Sequence, residues 1–161
     1  QGATVPQELE VPVALAGGMG TGRQLMACLA LGADGMVLAT RMIVAEEIWA
    51  HRDYKQHLAE LGAGDTHLIM NIFGDSSRVM KNDTSNLVLG LEAEGITDFE
   101  AYRPYVQGTM QKEAYEDGDW NKGTASIGQS VVFAGDVEPV ETIIDGIIAE
   151  AAAVRARLNG L

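Results

Sequence analysis

Apolar positions along this chain fall into two kinds of pattern. Short, almost unbroken apolar runs stand at residues 11–16 ("VPVALA") and 35–40 ("GMVLAT"), and such runs predict strands buried on both faces. Between them, residues 22–32 place Leu25, Met26, Leu29 and Leu31 on or near one stripe and stop at Gly32, which predicts a helix. Strand, glycine loop, helix and strand in this order make a parallel βαβ crossover. Its sheet needs cover on both faces, so the expected class is α/β.

Beyond Thr40 the pattern loosens. Residues 45–61 read as a helix with Ile48, Trp49, Leu58 and Leu61 apolar, ended by Gly62 and Gly64. Residues 66–73 read as a strand and Gly74-Asp75-Ser76-Ser77 as a turn. Helices follow at 83–94 and, more weakly, at 104–117, and a glycine-containing loop covers 117–128. Residues 137–158 close the pattern as a long amphipathic helix. Asp136 suits its cap, Pro139 its first turn, and Arg155 and Arg157 its negative end.

Composition narrows the classes of function. With 161 residues, 47% hydrophobic and 21% charged, the chain suits one globular domain but is short for a catalytic barrel. A net charge of -12 excludes the clustered cations that nucleic acid or an anionic membrane requires. Cys28 is the one cysteine, so no disulfide framework is expected, and it reads as a small buried helix residue. No apolar run is long enough to span a membrane, and a cytoplasmic protein is the default expectation. The chain opens at Gln1 and runs quickly into an apolar strand, as expected of the middle of a longer protein.

The stretch "VALAGGMGTGRQLMACLALGADGMVLATR", residues 13–41, holds six glycines and no obvious acid, base or nucleophile. It fails as a P-loop, because Arg23-Gln24 stands where Lys and a hydroxyl residue are needed. It also fails as a dinucleotide fingerprint, whose third glycine would fall on Arg23. A third arrangement fits. Gly17-Gly18 ends one strand and Ala39-Thr40 the next, so both loops open on the same sheet edge. Backbone N–H groups there, with a helix N-terminus, make an anion cradle without a cationic side chain. The plainer alternative is a tight turn whose glycines only let helix and strand pack.

Three segments carry a family resemblance: "VPVALAGGMGTGRQLMACLALGADGMVLATRMIVAEE", "DTHLIMNIFGDSSRVMKN" and "GTASIGQSVVFAGDVEPVETIIDGIIAEA". Together and in this order they resemble the nitronate monooxygenase family, which includes the FMN-dependent enoyl-ACP reductases. The resemblance implies the C-terminal part of a (β/α)8 TIM barrel, its last two βα units, plus a smaller, mostly helical α/β second domain. The barrel part would be residues 1–45 and 125–161, and the second domain residues 46–124. FMN is the implied cofactor. Gly17 and Gly18 would offer backbone N–H groups to its phosphate, Val37, Leu38, Ala39 and Thr40 would form the second half of the cradle, and Gln129 and Ser130 would lie on the flavin side. The family's usual glycine before the threonine is Ala39 here, which suits the site only if its φ is negative.

The implied activity is oxidation of nitronates by O2 to a carbonyl compound and nitrite. Reduction of an enoyl thioester is the alternative within the family, and a non-catalytic subunit that completes a barrel is the alternative outside enzymes. The family's proton-accepting histidine lies upstream, and His51, His57 and His67 do not match it, so no catalytic residue is assigned. No metal is expected. Glu46 and Glu47 read as a solvated helix start. The expected partners are a small-molecule substrate and the N-terminal half of the barrel. Two of eight strands leave open edges, so association with that half or with further copies of the chain follows.

Overall fold

The computed structural model describes residues 10–160. β1 (Ala14–Ala16) and β2 (Gly35–Val37) flank α1 (Gly22–Ala30) and pair in parallel, with Ala14 opposite Gly35 and Ala16 opposite Val37. This is the crossover that the apolar pattern anticipates, and the chain is α/β. Asp34 ties the start of the ladder: its N–H donates to the Val13 carbonyl at 2.7 Å and its carboxylate accepts from the Val13 N–H at 2.8 Å.

The strands are not buried on both faces, contrary to expectation. Ala14 and Ala16 are exposed and Val37 is 49% exposed. The sheet they form has two strands, so neighbours that would cover a central parallel strand are not supplied by these residues.

The closing helix α6 (Val140–Asn159) packs along α1. The contact is close enough that a Cβ at Gly22 would collide with the Ile147 carbonyl and the Ala151 nitrogen. Asp136 does not cap this helix. Pro139 holds the cap position without a side-chain bond, and the Val140 N–H donates to both oxygens of Glu47, at 3.0 and 2.9 Å. Glu47 therefore serves as a cap supplied from another element rather than as a solvated helix start. A carboxylate there also opposes the positive end of the helix dipole.

The middle of the chain departs more from its sequence pattern. Residues 45–51 are not helical, and α2 (Arg52–Ala59) begins after His51, whose Nδ1 accepts the Asp53 N–H at 3.2 Å. The strand expected to reach Phe73 stops early as β3 (Thr66–Ile69). Met70 takes a left-handed φ of 64° and Asn71–Phe73 form a 3-10 turn, so the chain reverses there. The residues after the turn return as β4 (Ser77–Met80), antiparallel to β3 with Thr66 opposite Met80. α3 (Asp83–Ala93) starts where expected, with Asn82 accepting the Ser85 N–H. α4 (Phe99–Val106) begins five residues before Pro104, capped by Asp98, and α5 (Gly108–Asp117) follows it.

Two apolar clusters dominate. Val44, Tyr54, Leu58, Met80, Ile127 and Val131 form one, which draws on both sides of residues 45 and 125. Ile69, Val79, Val88 and Tyr102 form the other, under the hairpin. Cys28 lies buried against Met19, its Sγ 3.9 Å from the thioether sulfur, as a small packing residue.

Candidate functional site

The parallel register sets the site. Because Ala16 lies opposite Val37, the residues that follow each strand, 17–18 and 38–40, leave from the same sheet edge. Gly17 and Gly18 have φ of 92° and 70°, and a Cβ at either would meet nothing within 4 Å among the described residues. Their glycines answer to backbone conformation and not to crowding, and open space lies beside both. Ala39 has a φ of −125°, so the negative φ that an alanine at this position requires is met.

Thr40 is buried at the start of a 3-10 turn, Thr40–Val44, and its Oγ1 accepts the Gly128 N–H at 3.0 Å. A Cβ at Gly128 would stand 3.4 Å from that oxygen and 3.6 Å from the Ser130 Oγ. The fold therefore gathers Thr40, Gly128 and the buried Ser130, residues nearly ninety positions apart in sequence. Gln129 is exposed at the start of the 3-10 turn Gln129–Phe133, and among the described residues no hydrogen bond links its side chain to the glycine pair. Val37 and Leu38 lead from the strand into the loop, with Leu38 packed toward Ile143 and Ile147 of α6.

One part of the expected cradle is filled by the protein itself. The N-terminus of α1 is closed by a capping box in which Thr21 Oγ1 accepts the Gln24 N–H at 3.2 Å. Gln24 Oε1 accepts the Gly20 and Thr21 N–H groups at 2.8 and 3.1 Å, and its Nε2 donates to the Gly18 carbonyl at 2.7 Å. Glu150 reaches over from α6 to accept the Gly22 N–H at 2.7 Å and pairs with Arg23 at 2.6 Å. The Gly22 amide, and secondarily Arg23, hold the Glu150 carboxyl below its ordinary value. The Gly20, Thr21, Gly22 and Gln24 amides at this helix end are thus engaged within the protein.

Arg41 and Phe133 complete the surroundings and were not singled out from sequence. Arg41 Nη1 donates to the Gly20 carbonyl at 2.6 Å, and Nη2 lies 3.9 Å from Glu138. Phe133 packs so closely on Gly20 that a Cβ there would overlap its ring. The Gln24 role had a signal, since Thr-x-x-Gln is a capping-box spacing. Arg41 and Glu150 had none, because their partners lie 21 and 128 residues away.

The histidines have packing and capping roles. His51 caps α2, and His57 stacks on Trp120 with ring centroids 4.3 Å apart and an interplanar angle of 14°. Burial holds His57 below the ordinary histidine value, against the pull of Glu60 and Asp65. Burial also lowers His67, helped by Lys81 and Arg78, and among the described residues its Nε2 has no hydrogen-bond partner. Among the described residues no helix is long and apolar enough to cross a membrane.

Known proteins resemble the chain over most of its length. The family model described as nitronate monooxygenase matches residues 3–150. The nitronate monooxygenase of Neurospora crassa is 28% identical, over 90% of this chain and 39% of that protein. A (3aS,4S,5R,7aS)-5-hydroxy-7a-methyl-1-oxo-octahydro-1H-indene-4-carboxyl-CoA dehydrogenase of Rhodococcus jostii is 25% identical, over 92% of this chain and 52% of that protein. The structure of FabK from Thermotoga maritima superposes with a TM-score of 0.83 at 27% identity, covering 94% of this chain and 48% of FabK. The chain spans about half or less of the length of these relatives.

Proposed function

The chain belongs to the nitronate monooxygenase family, FMN flavoprotein oxidoreductases with a TIM-barrel fold, and from that premise we propose that it carries the phosphate end of an FMN site in a nitronate-oxidising enzyme. The supporting observation is the pair of strand-end loops. Gly17 and Gly18 turn through positive φ beside open space, on the same edge as Ala39 and Thr40. A phosphate fits there because small residues let its oxygens reach backbone N–H groups, which hold an anion without a lysine.

In this reading Gly17 and Gly18 donate from the backbone, residues 37–40 form the facing half, and the Thr40 hydroxyl adds a donor. Its oxygen already accepts from Gly128, which leaves its proton free for the phosphate. Gln129 and Ser130 stand on the flavin side, carried by the turn that Thr40 anchors. Arg41 pins the loop through the Gly20 carbonyl and leaves a positive charge behind it. When bound, FMN supplies the electron transfer by which a nitronate and O2 become a carbonyl compound and nitrite.

The open edges of β1 and β2 suit the last two strands of a (β/α)8 barrel. Residues 1–45 and 125–161 then belong to the barrel and 46–124 to a second domain, and the other strands come from an N-terminal half. Two strands cannot close a barrel, whereas eight with a consistent tilt can. The FabK likeness supports a second reading, reduction of an enoyl thioester on the same cofactor cradle.

The deciding experiment follows nitrite release from an alkyl nitronate under O2, and enoyl-thioester consumption with reduced nicotinamide, both on the intact flavin-loaded protein. Nitrite formation at catalytic rates is expected. Enoyl reduction without nitrite would replace the first reading with the second, and neither activity would contradict both.

A further inference from the structure

A cleft of about 510 Å³ opens between the β3–β4 hairpin and the corner where α4 meets α5. Ile69, Val79, Val106 and Tyr115 give it an apolar lining, and the first two are fully buried. Phe73 and Phe99 meet edge to face along it, with centroids 6.0 Å apart. Ser77, Thr124 and Ser126 also line it. Among the described residues that line the cleft, Asp75 is the one charged side chain. The turn that carries Phe73 and Asp75 is held by two left-handed residues, Met70 at φ 64° and Gly74 at φ 72°. A non-glycine residue in that region marks a turn fixed by its surroundings.

The segment that forms one wall of the cleft runs on to the Thr40 anchor. Residues 124–128 run beside β4, with the Met80 N–H donating to the Ala125 carbonyl at 3.0 Å. Side chains alternate along this segment. Ala125 and Ile127 are buried in the core, while Thr124 and Ser126 line the cleft. Gly128 is the next residue on the Ser126 side, and its N–H meets Thr40. At ~3.3 Å per extended residue, the cleft wall reaches the Thr40 anchor within roughly 7 Å.

We infer that this cleft receives the non-reacting body of the substrate, that it selects uncharged aliphatic or aryl groups, and that Asp75 is the residue that turns away anionic ones. A carboxylate or phosphate entering it would face Asp75 with no lining cation to offset the repulsion, against walls that strip away water. A neutral amide or hydroxyl tail finds donors and acceptors in Ser77, Thr124 and Ser126 instead. The occupant's identity as substrate rests on the flavin reading above, whereas the preference for uncharged groups does not.

Hexanamide and hexanoate are matched probes of the preference. Each is titrated into the intact, methyl-labelled protein at about pH 7, and the methyl resonances of Ile69, Val79 and Val106 are followed. Hexanamide should shift all three, and hexanoate should bind more weakly, on the order of fivefold for one partly screened like charge. Asp75→Asn should make the two probes bind alike, and Asp75→Lys should reverse their order. Asp75 is exposed, so both variants keep the apolar packing intact. The proposal is overturned if neither probe moves these methyls, or if hexanoate binds the unaltered protein as well as hexanamide does. The shifts need no flavin and no turnover, so failure of the flavin reading would show in the nitrite and enoyl assays while leaving them unchanged.

Discussion

Gly17, Gly18 and Ala39 divide the site by backbone angle. The first two need positive φ and the third does not, at 92°, 70° and −125°. Gly18→Ala should therefore strain the loop by about 1–2 kcal/mol, the penalty of a Cβ in the left-handed region. If the loop holds the phosphate, the variant should weaken FMN binding on the order of tenfold, measured by quenching of flavin fluorescence. Ala39→Gly should change that affinity by no more than about twofold, because φ there is already negative and no left-handed angle calls for a glycine. The glycine pair was legible in the sequence because a glycine doublet closed an apolar run. Arg41 and Glu150 were not, since each acts on a residue that only the fold brings near: Gly20 for one and Gly22 for the other.

At the scale of elements, two helices are capped by carboxylates from elsewhere. Glu150 of α6 closes α1, and Glu47 closes α6. Glu150→Ala should lower stability by about 1–2 kcal/mol, the range for losing a cap, and a urea midpoint reads it. The dependence on pH has a definite sign. The Glu150 carboxyl is held below its ordinary value of 4.5, so its contribution is complete above that pH. It is lost as pH falls through the depressed native value. The variant should flatten that acid limb and leave the slope near neutrality unchanged.

Helix α3 was legible behind Asn82, because its cap and its first turn are neighbours in sequence. Strand β4 was not. Its first residue, Ser77, read as the end of a turn and residues 78–80 carried no strand pattern, and only pairing with β3 makes them strand. The stretch 45–51 shows the converse, a helical pattern in sequence that becomes an irregular connection. There Ala45 and Ala50 are buried, Glu47 leaves for α6, and the Glu46 carbonyl accepts from the buried Lys55 Nζ at 3.0 Å.

At the scale of the molecule, the α/β class followed from one crossover, and the family from three motifs in order. The apolar runs also announced strands meant to be covered on both sides. The structure leaves Ala14, Ala16 and Val37 exposed, because the described residues form a sheet of two strands there. The barrel reading accounts for that mismatch by letting further strands pair with these.

The central claim is that strand-end backbone groups hold a flavin by its phosphate, and its most direct measurement compares FMN with riboflavin on the intact protein. The two share the isoalloxazine and differ in the phosphate, so the ratio of their dissociation constants isolates the cradle. The account predicts FMN to bind tighter, on the order of a hundredfold for several charge-assisted hydrogen bonds. Equal binding of the two flavins would contradict it.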